Sequence, residues 1–129
     1  VDALALHAYT HTSDPELIFS EKMFRIYRDF MNTIPEDLRH VPVYITEASP
    51  IYQDEEETTL GWPDANLGWI QNAYWEIYNW NAISGNQQIR ALLLYRWMGD
   101  AWTIEGKYGL YADFQAAMDH EYIWFETQE

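Results

Sequence analysis

Glu47, His7, Tyr9 and Trp97 are the side chains whose types could do chemistry together. A carboxylate can attack an electrophilic carbon or move a proton, an imidazole and a phenol can hold hydroxyl groups, and an indole offers a flat apolar face. A phenol that donates a hydrogen bond to a carboxylate also favours its ionised form. Each residue has a plainer reading beside the chemical one. Glu47 reads equally as a strand-end acid satisfied by a helix N-terminus or by Arg96, His7 as a hydrogen-bonded histidine under a loop, and Trp97 as ordinary core.

A metal site from His7, His11 and Glu47 fails on geometry. Along an extended strand, residues four apart are separated by about 13 Å, whereas metal ligands must converge to about 2 Å. Only a chain reversal after Tyr9 would rescue it, so no metal and no cofactor is expected. Asp100 and Glu105 are further carboxylates in a late loop, without a motif to support either.

Positioning such groups requires strand ends, and the chain supplies them. Residues 3–9 alternate, with Ala3, Ala5, His7 and Tyr9 on one face and Leu4 and Leu6 on the other, and both faces read as covered. Ser13-Asp14-Pro15-Glu16 then gives an N-cap candidate, a proline at the first helical position and an acid in the first turn, which predicts a helix over about 15–33, closed by Pro35. Residues 41–48 form a short β-branched run that ends on Glu47 and is bounded by Pro50. A polar connection from Gln53 through Asp64 reads as a long loop, with 54–57 solvated. Ile70, Ala73, Tyr74, Ile77 and Trp80 make a helical stripe over 67–83, residues 89–97 read as a buried parallel strand, and 110–124 as a last helix. The order strand, helix, three times over, argues for βαβ units and a parallel sheet. Three units are too few for an eight-stranded barrel of typically about 250 residues, so either the sheet is open or further strands complete it. The chain enters directly as a strand at Val1 to Leu6, without an initiator Met or leader, and reads as an excised or truncated segment.

Composition narrows the partners. Seven basic against twenty-one acidic residues give a formal charge of −14, which repels phosphate backbones and anionic membrane surfaces, so nucleic acid and membrane are not expected. Nearly half the residues are apolar, enough to bury a core. Cysteine is absent, which removes disulfides and thiolate metal sites but leaves the compartment open. Seven Trp, ten Tyr and five Phe serve either core or ligand platforms. Trp62, Trp69, Trp75, Trp80, Trp102 and Trp124 read as core or loop packing.

With these residues at strand ends, the chain resembles the retaining glycoside hydrolases of clan A, most closely the cellulase-like family five. In that family the sixth barrel strand ends in His-x-Tyr, here similar to His7-Ala8-Tyr9. The seventh ends in the nucleophilic Glu, here similar to Glu47 in Ile45-Thr46-Glu47, and the eighth in a Trp beneath the sugar, here similar to Trp97 after Leu93-Leu94-Tyr95-Arg96. Gly109-Leu110 resembles the start of the family's last helix. The resemblance implies an α/β fold, a partial (β/α)8 TIM barrel of three consecutive βα units with parallel strands, spanning residues 1–129 as the C-terminal portion of a catalytic domain. It implies a Glu nucleophile at Glu47 working by retaining double displacement, and sugar contacts from His7, Tyr9 and Trp97. The family's Asn-Glu pair on the fourth strand, which carries the general acid, has no counterpart here, nor do the Arg and His of earlier strands. The chain alone is therefore expected to be inactive, to take a carbohydrate substrate, and to associate with itself or with the missing part of the barrel. A noncatalytic carbohydrate-binding or scaffold domain, and an open doubly wound domain, are the competing expectations; no phosphate-binding Gly-rich loop supports the latter.

Overall fold

The computed structural model describes residues 1–11, 23–53, 59–122, 124 and 125, the side chains of 52, 53, 59 and 60 excepted. Three parallel strands, β1 (Leu4–Thr10), β2 (Val43–Pro50) and β5 (Ile89–Leu94), form a sheet in the order β1-β2-β5. A two-residue antiparallel pair, β3 (Tyr52–Gln53) with β4 (Thr59–Leu60), sits inside the connection that the sequence presented as plain loop. Residues 54–58, which include the acidic run, lie outside the described residues.

Helices α1 (Tyr27–Thr33), α2 (Trp69–Ala82) and α3 (Tyr108–Met118) follow β1, β2 and β5 respectively. The expected 15–33 helix is seen only in part, as a 3-10 turn at Phe24–Ile26 that runs into α1, because residues 12–22 lie outside the described residues. Tyr27 and Met31, one turn apart, are its buried stripe. It stops where Ile34 turns extended ahead of Pro35, as a residue before proline must. The last helix ends at Met118, short of the expected 124.

Which face of the sheet carries the helices separates a barrel from a doubly wound domain. Leu6 and Ala8 of β1, Val43 and Ile45 of β2, and Ile89 and Leu92 of β5 are buried in one cluster with Phe24, Tyr27, Ile70 and Ala73. All three helical segments cover this one face. In a doubly wound sheet they would be divided between two. The other face is open: Ala5, His7, Thr46 and Leu93 are exposed. This corrects the reading of both β1 faces as covered. The arrangement is that of a partial (β/α)8 barrel seen with its inner wall bare, since eight strands are needed to close one.

The helices are bound to one another as well as to the sheet. Glu76 of α2, 5% exposed, accepts from Arg25 Nε at 3.2 Å, from the Tyr27 hydroxyl at 3.1 Å and from Arg28 Nε at 2.9 Å. The N-terminus of α2 begins at Gly68, with φ 73° and no side-chain cap of its own. Its orphan amides are met from α3: the fully buried Asp113 accepts from Ile70 N at 3.0 Å and Gln71 N at 3.1 Å. Asp113→Ala should therefore cost about 1–3 kcal/mol, measured by urea unfolding, because it strands buried donors as well as removing a cap. A loss below about 0.5 kcal/mol would show that water replaces the carboxylate.

Candidate active site

The carboxyl ends of β1 and β2 bring Glu47, His7 and Tyr9 together. Simple alternation would not do so. Val43 and Ile45 are fully buried under the helices, and Glu47 has their parity. Between Leu6 and His7, however, the register slips: Leu6 pairs with Ile45 but His7 pairs with Glu47, so Thr46 is an extra residue on β2. This β-bulge turns Glu47 onto the open face opposite His7, while Ala48 returns to the core.

On that face the Tyr9 hydroxyl donates a short hydrogen bond to Glu47 Oε2, and His7 Nδ1 lies 3.4 Å from the same oxygen. The side chains of His7 and Glu47 keep 52% and 31% of their surface exposed, so a ligand can reach them. The Tyr9 phenol is pushed well above its ordinary value, first by burial and then by the hydrogen bond to Glu47, with the charges of Glu47, Tyr95 and Asp100 adding to the effect. It is therefore a permanent donor at any physiological pH. The rings of His7 and Tyr9 meet edge to face with centroids 6.1 Å apart, and Tyr9 meets Tyr95 in the same way at 6.5 Å.

Trp97 is placed elsewhere. Its ring stacks on Tyr111 of α3 at 5.9 Å and an interplanar angle of 10°, and it lines a hollow of about 630 Å³ with Leu92, Leu94, Leu110 and Phe114. Among the described residues no contact joins it to His7, Tyr9 or Glu47. The reason is that β5 ends at Leu94, three residues before Trp97. Tyr95 N still bonds Ala48 O at 2.9 Å, but Arg96 N already bonds Trp102 O at 3.2 Å, so the chain has turned away. Tyr95, which the sequence reading passed over, is the aromatic group beside Tyr9. Its signal was the same alternation, since Leu92 and Leu94 face the helices and the next residue must face the open side.

The loop after Tyr95 builds the rim. Arg96 lies over the Tyr95 ring at 5.3 Å and pairs with Asp100 at 2.9 Å, so it is not the partner of Glu47. Asp100 Oδ1 also accepts from Trp102 N at 2.9 Å. Trp102 packs against Gly61, where an added Cβ would stand 2.5 Å from its ring, and its Nε1 donates to Pro50 O at 3.1 Å. The loops after β2 and β5 are thus clamped together over the strand tips. Of the possible second carboxylates, Asp100 is committed to Arg96, and Glu105 is exposed with no described contact to Glu47. His11 is exposed, and no three metal-ligating side chains cluster among the described residues. Trp62, Trp69 and Trp80 are buried, whereas Trp75 and Trp124, expected to pack, are 50% and 39% exposed.

A carboxylate held by a phenol, flanked by an imidazole and an aromatic rim on the inner face of a barrel-like sheet, is suited to attack on or binding of a small polar ligand. No helix among the described residues is long and apolar enough to cross a membrane. Comparison with protein-family models, with curated proteins and with solved structures found no match.

Proposed function

We propose that this chain is the part of a retaining glycoside hydrolase barrel that carries the nucleophile, Glu47, with the general acid supplied by strands outside it. The observation that carries the reading is the Tyr9 to Glu47 hydrogen bond on the open strand-end face, with His7 at 3.4 Å from the same oxygen. A retaining glycosidase needs an ionised carboxylate to attack the anomeric carbon, and a second, protonated carboxyl about 5–5.5 Å away to release the leaving oxygen. Tyr9 holds Glu47 by one oxygen, leaving the other oxygen to attack. His7 reaches sugar hydroxyls from the adjacent strand, and Tyr95 offers an aromatic edge to the ring. The fit to the cellulase-like family five rests on His7-Ala8-Tyr9 and on Glu47 in the order that family uses. In a barrel completed with the acid-bearing strands, a 2-fluoro glycoside with a good leaving group should form a stable ester on Glu47, read by mass spectrometry of the peptide over 43–50. Labelling elsewhere, or none with turnover intact, would refute the assignment.

The partner follows from strand count. β1 and β5 are both edges of a three-stranded sheet, and the hollow of about 630 Å³ beside β5 is lined by Leu92, Leu94, Leu110 and Phe114. Eight is not a multiple of three, so copies of this chain cannot close an eight-stranded barrel. The natural complement is five further βα units. Without them, edge pairing and apolar surface should drive concentration-dependent association in light scattering. A monomer at all concentrations would count against the missing wall.

A further inference from the structure

The opposite end of the sheet holds a second hollow, of about 330 Å³, with a chemistry unlike the rest of the molecule. It lies where the chain enters β2 and β5, and Arg39, His40, Gln87, Gln88 and Arg90 line it. No carboxylate is among the lining residues described, although the chain carries twenty-one acidic residues against seven basic ones. The cations are also uncommitted. Arg39 uses only Nε, donating to Ile34 O at 3.2 Å, and Arg90 rests its guanidinium over Trp124 at 4.6 Å, a contact that leaves its N–H groups available. His40 is exposed and has no described partner.

Gln87 and Gln88 wall the hollow between the cations. Gln87 Nε2 donates to Leu38 O at 3.1 Å and Val41 O at 2.7 Å, which fixes the amide's orientation, yet its Oε1 is buried without a hydrogen-bond partner. A buried acceptor without a donor costs free energy, but this oxygen is shut off from the hollow, so Gln87 serves as wall rather than as a ligand contact. Gln88, beside it, is fully used: its Oε1 accepts from Phe125 N at 2.7 Å and its Nε2 donates to Asn81 O and Asn86 O, each at 3.1 Å.

From the cationic lining we infer that the hollow is a binding site for a phosphate group, either inorganic phosphate or the phosphate of a sugar monoester. Two guanidinium groups recognise tetrahedral oxyanions in pairs, and the hollow lies in the range of roughly 300–1,000 Å³ used by small-ligand sites. A cationic hollow with no carboxylate among its described lining residues, in a chain of net charge −14, also concentrates the local positive potential that such an anion seeks. The site stands apart from Glu47, at the other end of the strands, and does not depend on the glycosidase reading.

Isothermal titration of the whole chain with sodium phosphate, sodium sulfate and glucose 6-phosphate, at matched ionic strength near neutral pH, tests it. Phosphate should bind saturably at one site, and sulfate, a tetrahedral oxyanion of similar size, should compete for it. Tighter binding of glucose 6-phosphate than of phosphate assigns the monoester as ligand, and equal binding assigns the free anion. Arg39→Ala combined with Arg90→Gln should weaken binding by about tenfold or more, since each removes a charge-assisted contact. Glu47→Gln should leave it unchanged. Should loss of the Trp124 contact unfold the double variant, Arg39→Gln with His40→Gln, checked by circular dichroism, decides instead. Absence of saturable heat, or affinity unmoved in a folded variant, overturns the site.

Discussion

Glu47→Gln, in a barrel completed by the acid-bearing strands, should lower kcat by a factor on the order of 10⁴ to 10⁶, the range reached when a covalent nucleophile is removed. The amide is nearly isosteric and can still accept from Tyr9, so sugar binding should persist while turnover is lost. Tyr9→Phe provides the graded comparison. It removes a hydrogen bond to a charged group, worth about 1.5–3 kcal/mol, and should cost about 10- to 100-fold with Glu47 still labelled by the fluoro sugar. Because the Tyr9 phenol is raised well above its ordinary value, it stays protonated across the working range, and the activity profile should show no limb from its titration. If Glu47→Gln retained turnover and altered only affinity, the rim would be a sugar-binding surface without chemistry.

Glu76→Ala should destabilise the fold by about 3–5 kcal/mol, because it removes a buried carboxylate on which two guanidinium groups and a phenol converge at the helix interface. The carboxylate receives Arg25, Tyr27 and Arg28, and thereby ties α1 to α2. Arg25 and Arg28 keep 36% and 30% of their side-chain surface exposed, so water compensates them in part, and the lower end of the range applies. Tyr27, 2% exposed, carries more of the loss, since its hydroxyl has no comparable access to solvent. Denaturant unfolding should show a reduced midpoint with an unchanged slope. The same site sets an alkaline limit. Burial, reinforced by the charge of Glu76, pushes the Tyr27 phenol above its ordinary value of 10.0, so the folded state binds that proton more tightly than the unfolded state. Its contribution is complete below about pH 10 and is lost as pH rises through the raised value. A stability unchanged in Glu76→Ala would mean that the helices are held by ring packing alone, such as Tyr27 edge to face with Trp80 at 5.7 Å.

The periodicity of the chain was enough to place three strand-helix units and their order, because apolar spacing reports which side of an element must be dry. It marked His7 and Tyr9 correctly as one face of β1, since no irregularity intervenes between them. Three features escaped it, for one reason. The bulge at Thr46, the end of β5 before Trp97, and the capping of α2 by Asp113 each depend on a partner strand or helix distant in sequence. Parity carried along β2 alone would have buried Glu47 with Ile45, and Trp97 was given a place at the rim that the turn after Leu94 hands to Tyr95.

What the amino acids determined unaided was therefore the class of fold, its parallel strands, and the acidic, aromatic character of the chain. Only the tertiary structure decided that the three described helices cover one face, that the other stands open, and that a one-residue slip against β1 brings Glu47 to Tyr9. Hydrophobic pattern is a property of each segment by itself, whereas register and facing are set by the pairing energy between segments, and no single stretch of sequence contains that term.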